Sequence, residues 1–180
     1  MGAIRLKHKK VKAIVGSLIA GLTIATTPVF AARTDMVDNS NHNGIMTAQN
    51  YTQMRNQYGV KAMTTKISEG TYYVDPTAKP DIQAAQQAGL YVNGYYFCRY
   101  TNVAQAKAQF AVQCARNAGL PTNAVLCADI ESSQQRNISI NVNGQAIQTM
   151  KQVVEAGGYR FDVYSMSSWG DVHVPWKDIK

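Results

Sequence analysis

The sequence predicts an α/β fold built on a parallel sheet, and three observations predict it. Glycines that stop helices recur before apolar runs, at Gly59, Gly89 and Gly119, 30 residues apart, and at Gly157, 38 residues further on. That interval fits one strand plus one helix, and glycine supplies the left-handed conformation after a helix end. Strand and helix patterns alternate with no hairpin signal between them, which argues for parallel pairing. Right-handed crossovers then place all strand C-termini on one side. Asp38, Glu69, Arg99-Tyr100, Asp129 with Glu131, and Tyr164 all fall at such C-termini, the end at which α/β enzymes build their sites.

In chain order, Met36-Val37-Asp38 reads as a short first strand, followed by the turn-forming loop Asn39 to Gly44. Thr47 is placed to cap a helix from Ala48 to Tyr58. Val60 to Ser68 is the second strand, closing on Glu69-Gly70, and a loop runs through Tyr72 to Pro76. Asp81 to Ala88 is helical, Leu90 to Cys98 is the third strand, and Val103 to Ala118 is an Ala/Gln-rich helix. Ala124 to Glu131 is the fourth strand, bounded by Pro121-Thr122-Asn123 and Ser132-Ser133. After the polar stretch Ser132 to Asn143, Gly144 to Ala156 is a fourth helix and Tyr159 to Tyr164 a fifth strand. Val172 to Trp176 could add a sixth.

Charge and composition narrow the function classes. The formal charge is +7, but Arg5, Lys7, Lys9, Lys10 and Lys12 supply five of the positive charges and residues 1–32 contain no acid. Without those five, 13 basic residues face 11 acidic ones, which removes the argument for nucleic acid. The basic start, the uncharged apolar segment Ala13 to Ala25 and Val29-Phe30-Ala31 have the layout of a secretory signal peptide over residues 1–31. An uncleaved N-terminal anchor is the alternative. Either way residues 32–180 face the outside, with no membrane contact once the signal is removed. Cys98, Cys114 and Cys127 are read as small buried hydrophobes, and no Cys/His cluster has zinc spacing.

The fourth strand carries the candidate chemistry. Residues i and i+2 of a strand share a face, with Cα atoms roughly 6.6 Å apart, so Asp129 and Glu131 stand side by side. Two carboxyls that close push their pKa values apart, and cleavage of a glycosidic bond needs one protonated and one ionised carboxyl. Tyr95, Tyr96, Tyr100 and Tyr164 are candidates for stacking on sugar faces. The competing reading of Tyr95-Tyr96-Phe97 is core packing. His42 is read as a loop hydrogen-bonding residue.

Three ordered motifs extend this reading. They are Val37-Asp38-Asn39-Ser40-Asn41-His42-Asn43-Gly44, Lys66-Ile67-Ser68-Glu69-Gly70-Thr71-Tyr72-Tyr73-Val74-Asp75-Pro76, and Ala128-Asp129-Ile130-Glu131. Together with Ala88-Gly89-Leu90, Gly94-Tyr95-Tyr96-Phe97 and Tyr164-Ser165 they resemble the glycoside hydrolase family 25 lysozymes, the Chalaropsis-type muramidases. The resemblance runs from about Asp35 to Trp169. It implies a TIM-like (β/α)-barrel with fewer helices than the eightfold form, here incomplete at its C-terminal end. It implies cleavage of the β-1,4 bond between N-acetylmuramic acid and N-acetylglucosamine in peptidoglycan glycan strands, with no metal and no cofactor. Glu131 corresponds to the proton donor and Asp129 to the acid that orients or stabilises the substrate's acetamido group. Asp38 is a third catalytic candidate; Glu69, Tyr95, Tyr96, Arg99, Tyr100 and Tyr164 are substrate-binding candidates. An enzyme-ester and an oxazolinium intermediate both stay open. The expected protein is secreted, associated with the cell wall and monomeric if fully folded. The alternative is a non-catalytic peptidoglycan-binding remnant of such an enzyme.

Overall fold

The structure is a computed structural model that describes residues 35–99 and 102–179. The stretch read as a signal peptide, and Tyr100, lie outside the described residues. The elements are β1 (Met36–Asn39), α1 (Ala48–Tyr58), β2 (Ala62–Glu69), β3 (Tyr73–Val74), α2 (Ala78–Gln87), β4 (Tyr91–Phe97), α3 (Ala104–Ala118), β5 (Val125–Asp129), α4 (Ile140–Ala156), β6 (Arg160–Tyr164) and α5 (Ser167–His173). The sheet runs in the order β1-β2-β4-β5-β6, and all four of those pairings are parallel.

A monotonic strand order joined by right-handed crossovers puts every connecting helix on the same side of the sheet. Burial agrees with that. Met63, Ile67, Val92, Tyr96, Leu126 and Ala128 point to one face and are buried with Tyr51, Ile82, Ala111, Ile147, Met150 and Val154 from the helices. The alternate residues Asp38, Lys66, Tyr95, Phe97 and Tyr164 form the inner face, which stays partly or largely open. Among the described residues β1 pairs only with β2, and β6 only with β5. The architecture is therefore the expected TIM-like fold in partial form.

Local chemistry explains the element ends. Thr47 accepts from the Asn50 N–H at 3.2 Å, and Asn50 Oδ1 accepts from the Thr47 N–H at 3.0 Å, a reciprocal cap that starts α1. Three of the four glycine stops are left-handed as expected, at Gly59, Gly89 and Gly119. The fourth is displaced by one residue. Gly157 continues the helical turn with φ −74°, and Gly158 takes φ +89°. Gly94 is required for a different reason, since a Cβ there would sit 2.6 Å from Ile67 Cγ1.

Besides shifts of up to three residues at other element ends, such as α2 starting at Ala78 rather than Asp81, the structure departs from the sequence reading in four places. α4 begins at Ile140, four residues early, because the Ser139 side chain accepts from the Val142 N–H. β5 ends at Asp129, leaving Glu131 just past the strand. The loop after β2 contains the two-residue strand β3, antiparallel to β2 beyond the point where β1 ends. Val172 to Trp176 is not a sixth parallel strand. Val172 and His173 finish α5, and a 3-10 turn starts at Trp176.

Gly94→Ala is expected to destabilise the protein by about 1–3 kcal/mol, the usual cost of overpacking a filled core. Denaturant melts of the two proteins check this, and an unchanged midpoint would show that Ile67 can move aside.

Candidate active site

The site starts from β5. Asp129 is its last residue, paired with Phe97 on one side and Tyr164 on the other. The Ile130 N–H donates to the Tyr164 carbonyl at 2.8 Å, so the chain stays against β6 for one more residue. Ile130 is buried in the core. That anchor holds Asp129 and Glu131 on the opposite side, as the i, i+2 spacing predicted. Asp129 is only 7% exposed. Its Oδ1 and Glu131 Oε2 are buried without a hydrogen-bond partner. Burial, then the charges of Glu131 and Asp38, push the Asp129 carboxyl up to about 8, with Lys66 pulling the other way. Asp129 thus keeps its proton at neutral pH.

Asp38 faces the same space from β1. Much of its surface is exposed, yet desolvation of the carboxyl raises its pKa, the Asn39 backbone hydrogen bond lowers it and Glu131 raises it. The net direction is upward. The loop after β1 is held by aspartates from the α2 region. Asp75 Oδ2 accepts from the Asn41 N–H at 3.1 Å, and Asp81 Oδ1 accepts from the Met46 N–H at 2.8 Å. Asn39 Nδ2 donates to the Tyr51 hydroxyl at 2.6 Å. Tyr95 joins the cluster from β4: burial and then the charges of Asp38 and Asp129 raise its phenol strongly. Tyr164 closes it from β6, 54% exposed, raised by burial and then by Glu131, Asp129 and Asp38.

β2 contributes through an irregularity. Lys66 pairs with Tyr95, but Ser68 pairs with Tyr96, so one extra residue is inserted between them. In a regular strand residues i and i+3 face opposite ways. The bulge reverses that and brings Lys66 and Glu69 to one face. Lys66 Nζ donates to Glu69 Oε2 at 2.6 Å. Arg99 Nε donates to Glu69 Oε1 at 2.5 Å, and the Tyr72 hydroxyl donates to the same oxygen at 3.2 Å. Burial raises the Glu69 carboxyl, but the hydrogen bonds and charges of Lys66 and Arg99 outweigh it and leave the pKa lowered.

Glu69, a substrate-binding candidate, has each oxygen hydrogen-bonded by side chains of this protein. One candidate requires correction. Tyr96, also expected to bind substrate, is 1% exposed and lies in the hydrophobic core. Strand alternation sends it to the helix-covered face, away from Tyr95 and Phe97. Lys66 is the site residue that spacing alone missed, because its approach to Glu69 depends on the bulge. Among the described residues no group of three or more His, Cys, Asp or Glu side chains could hold a metal ion.

Residues 37–179 match the family model "Glycosyl hydrolases family 25". The chain belongs to this family. Solved structures with the same fold include the catalytic domain of an endolysin from bacteriophage P40 of Listeria monocytogenes. That domain is 17% identical with a TM-score of 0.62, the match covering 77% of this chain and 66% of that one. The modular Cpl-1 endolysin, complexed with a peptidoglycan analogue, is 25% identical with a TM-score of 0.60, covering 82% of this chain and 41% of that one. A family GH25 lysozyme from Aspergillus fumigatus is 21% identical with a TM-score of 0.60, covering 74% of this chain and 66% of that one. The chain spans less than two thirds of the length of each of these relatives. Among curated proteins none matches significantly.

The buried acid of this family 25 site has a consequence for stability. An ordinary aspartate ionises near 3.8, whereas folded Asp129 does so near 8. Between those values the native state holds a proton that the unfolded chain lacks, so stability falls as pH rises through the window. Asp129→Asn removes that penalty. It is expected to stabilise the fold by about 5 kcal/mol at pH 8, with the gap closing toward pH 4. Denaturant melts of both proteins across that range check the sign.

Proposed function

We propose that the chain is an exported muramidase that cleaves the β-1,4 bond between N-acetylmuramic acid and N-acetylglucosamine in peptidoglycan. The observation that carries this reading is a buried Asp129 that retains its proton at neutral pH beside Glu131. Glycoside cleavage asks for carboxyls in unlike protonation states flanking one oxygen. Family membership and the peptidoglycan analogue bound to the Cpl-1 endolysin support the same substrate class.

In this mechanism the proton that Asp129 retains passes through Glu131 to the leaving glycosidic oxygen, and the Asp129 carboxylate left behind accepts from the N–H of the substrate's acetamido group. Asp38 faces the reacting sugar from β1. Tyr95 and the exposed Tyr164 ring present flat surfaces and phenol hydroxyls to neighbouring sugars. Residues 1–31 direct export, and the secreted form begins near Ala32.

Glu131→Gln is expected to lower lysis of cell-wall suspensions by about 10²–10⁴-fold, the usual worth of a general acid, with an unchanged melt. Lysis within about twofold of the parent would remove Glu131 from this role. Asp129→Asn should lose turnover yet still cosediment with walls. If the parent itself binds walls and releases no reducing ends, the protein is a glycan-binding member of the family.

Export has its own measurement. N-terminal sequencing of the secreted protein is expected to start near Ala32, and a protein that still begins at Met1 would mean that the segment remains as an anchor.

A further inference from the structure

The second-strand bulge brings a cation to a cluster of acids, and no part of the proposed reaction uses it. Lys66 Nζ is held at 2.6 Å by Glu69 Oε2. Its side chain is 12% exposed and that of Glu69 11%. The ammonium also lies 5.3 Å from the ring centroids of both Tyr73 and Phe97. Phe97 pairs in register with Asp129, and Tyr95, which pairs in register with Lys66, feels the charges of Asp38 and Asp129. A lysine fixed on three sides has lost the freedom that normally lets its charge follow the solvent.

Glu69 does not cancel that charge, because its other oxygen is taken by Arg99. One carboxylate between two cations leaves a surplus positive charge. Among the described residues, the ionisable groups coupled to Asp129 are Asp38 on β1, Lys66 on β2, Tyr95 on β4, Cys98 just beyond β4, Cys127 on β5, Glu131 beyond β5 and Tyr164 on β6. Of these Lys66 alone is cationic, and it alone opposes the retention of a proton on Asp129.

We propose that Lys66 is a positioning residue of the acid cluster: locked by Glu69 and two aromatic rings on the face that the bulge gives it, its ammonium is the fixed counter-charge to the Asp38, Asp129 and Glu131 carboxyls. The bulge is the structural device that makes this possible. The inference rests on the muramidase reading for its catalytic meaning, but its electrostatic content holds without it.

The test separates the two. In the full chain, carboxyl titration of Asp129 followed by ¹³C NMR is expected to move to higher pH by roughly half a unit or more in Lys66→Gln. In Lys66→Arg, which keeps the charge, the midpoint should stay near that of the parent. Glu69→Gln frees more of the Lys66 charge and should move the midpoint the opposite way; it also serves if Lys66→Gln does not fold. The pH profile of wall lysis should shift in the same directions, whereas loss of a merely structural contact would lower activity at every pH without moving the profile. An Asp129 midpoint unmoved in the folded charge-removing variants overturns the inference. Midpoints that move as expected in a protein that lyses no wall leave the inference standing and overturn the muramidase reading instead.

Discussion

Like charges gathered at one end of a parallel sheet repel, and this protein is organised around making that tolerable. Strand direction delivers Asp38, Glu69, Asp129 and Glu131 to a common side. Each carboxylate must find a cation, a set of N–H donors, or a proton. Glu69 finds two cations. Asp75 and Asp81, just behind the site, accept backbone N–H groups from their own helix region and from the loop after β1. Asp129 has none of these for Oδ1 and retains a proton instead.

That solution costs stability at neutral pH, because an acid kept neutral inside the fold would ionise freely outside it. The cost is offset on the opposite face of the same strands. Leu126, Ala128 and Ile130 alternate with Cys127 and Asp129 and are buried in the core. A fully buried side chain of Leu or Ile size contributes about 1.5–3 kcal/mol. The pleat of β5 thus divides stability and chemistry between successive residues. A strained acid on one face rests on aliphatic packing on the other.

Aspartates in this protein serve two purposes that residue type does not distinguish. Asp75 accepts from the Asn41 and Thr77 N–H groups and Asp81 Oδ1 from the Met46 N–H, which holds the loop that follows Asp38, while Asp81 Oδ2 is buried without a partner. Asp129 and Glu131 keep oxygens unsatisfied inside the protein, an arrangement that stability alone would not favour.

Much of this was legible in the sequence, for a definite reason. The period-two and period-3.6 patterns, the glycine stops and the Asp129-Ile130-Glu131 spacing are local properties of the chain, so they fixed the order of elements, the parallel sheet and the shared face of the two acids. The motifs carried the family. What depended on register did not show. The extra residue in β2 turns Lys66 toward Glu69, and only pairing with β4 reveals it. Tyr95 and Tyr96 are adjacent and chemically alike, yet the pleat sends one to the site and the other into the core. Ser139 rather than Gly144 sets the start of α4, because a cap acts through geometry that several polar residues could supply. The proton on Asp129 depends on burial together with Glu131, Asp38 and Lys66, residues drawn from three parts of the chain. Sequence spacing determined which acids could meet, and tertiary packing decided which of them stays neutral.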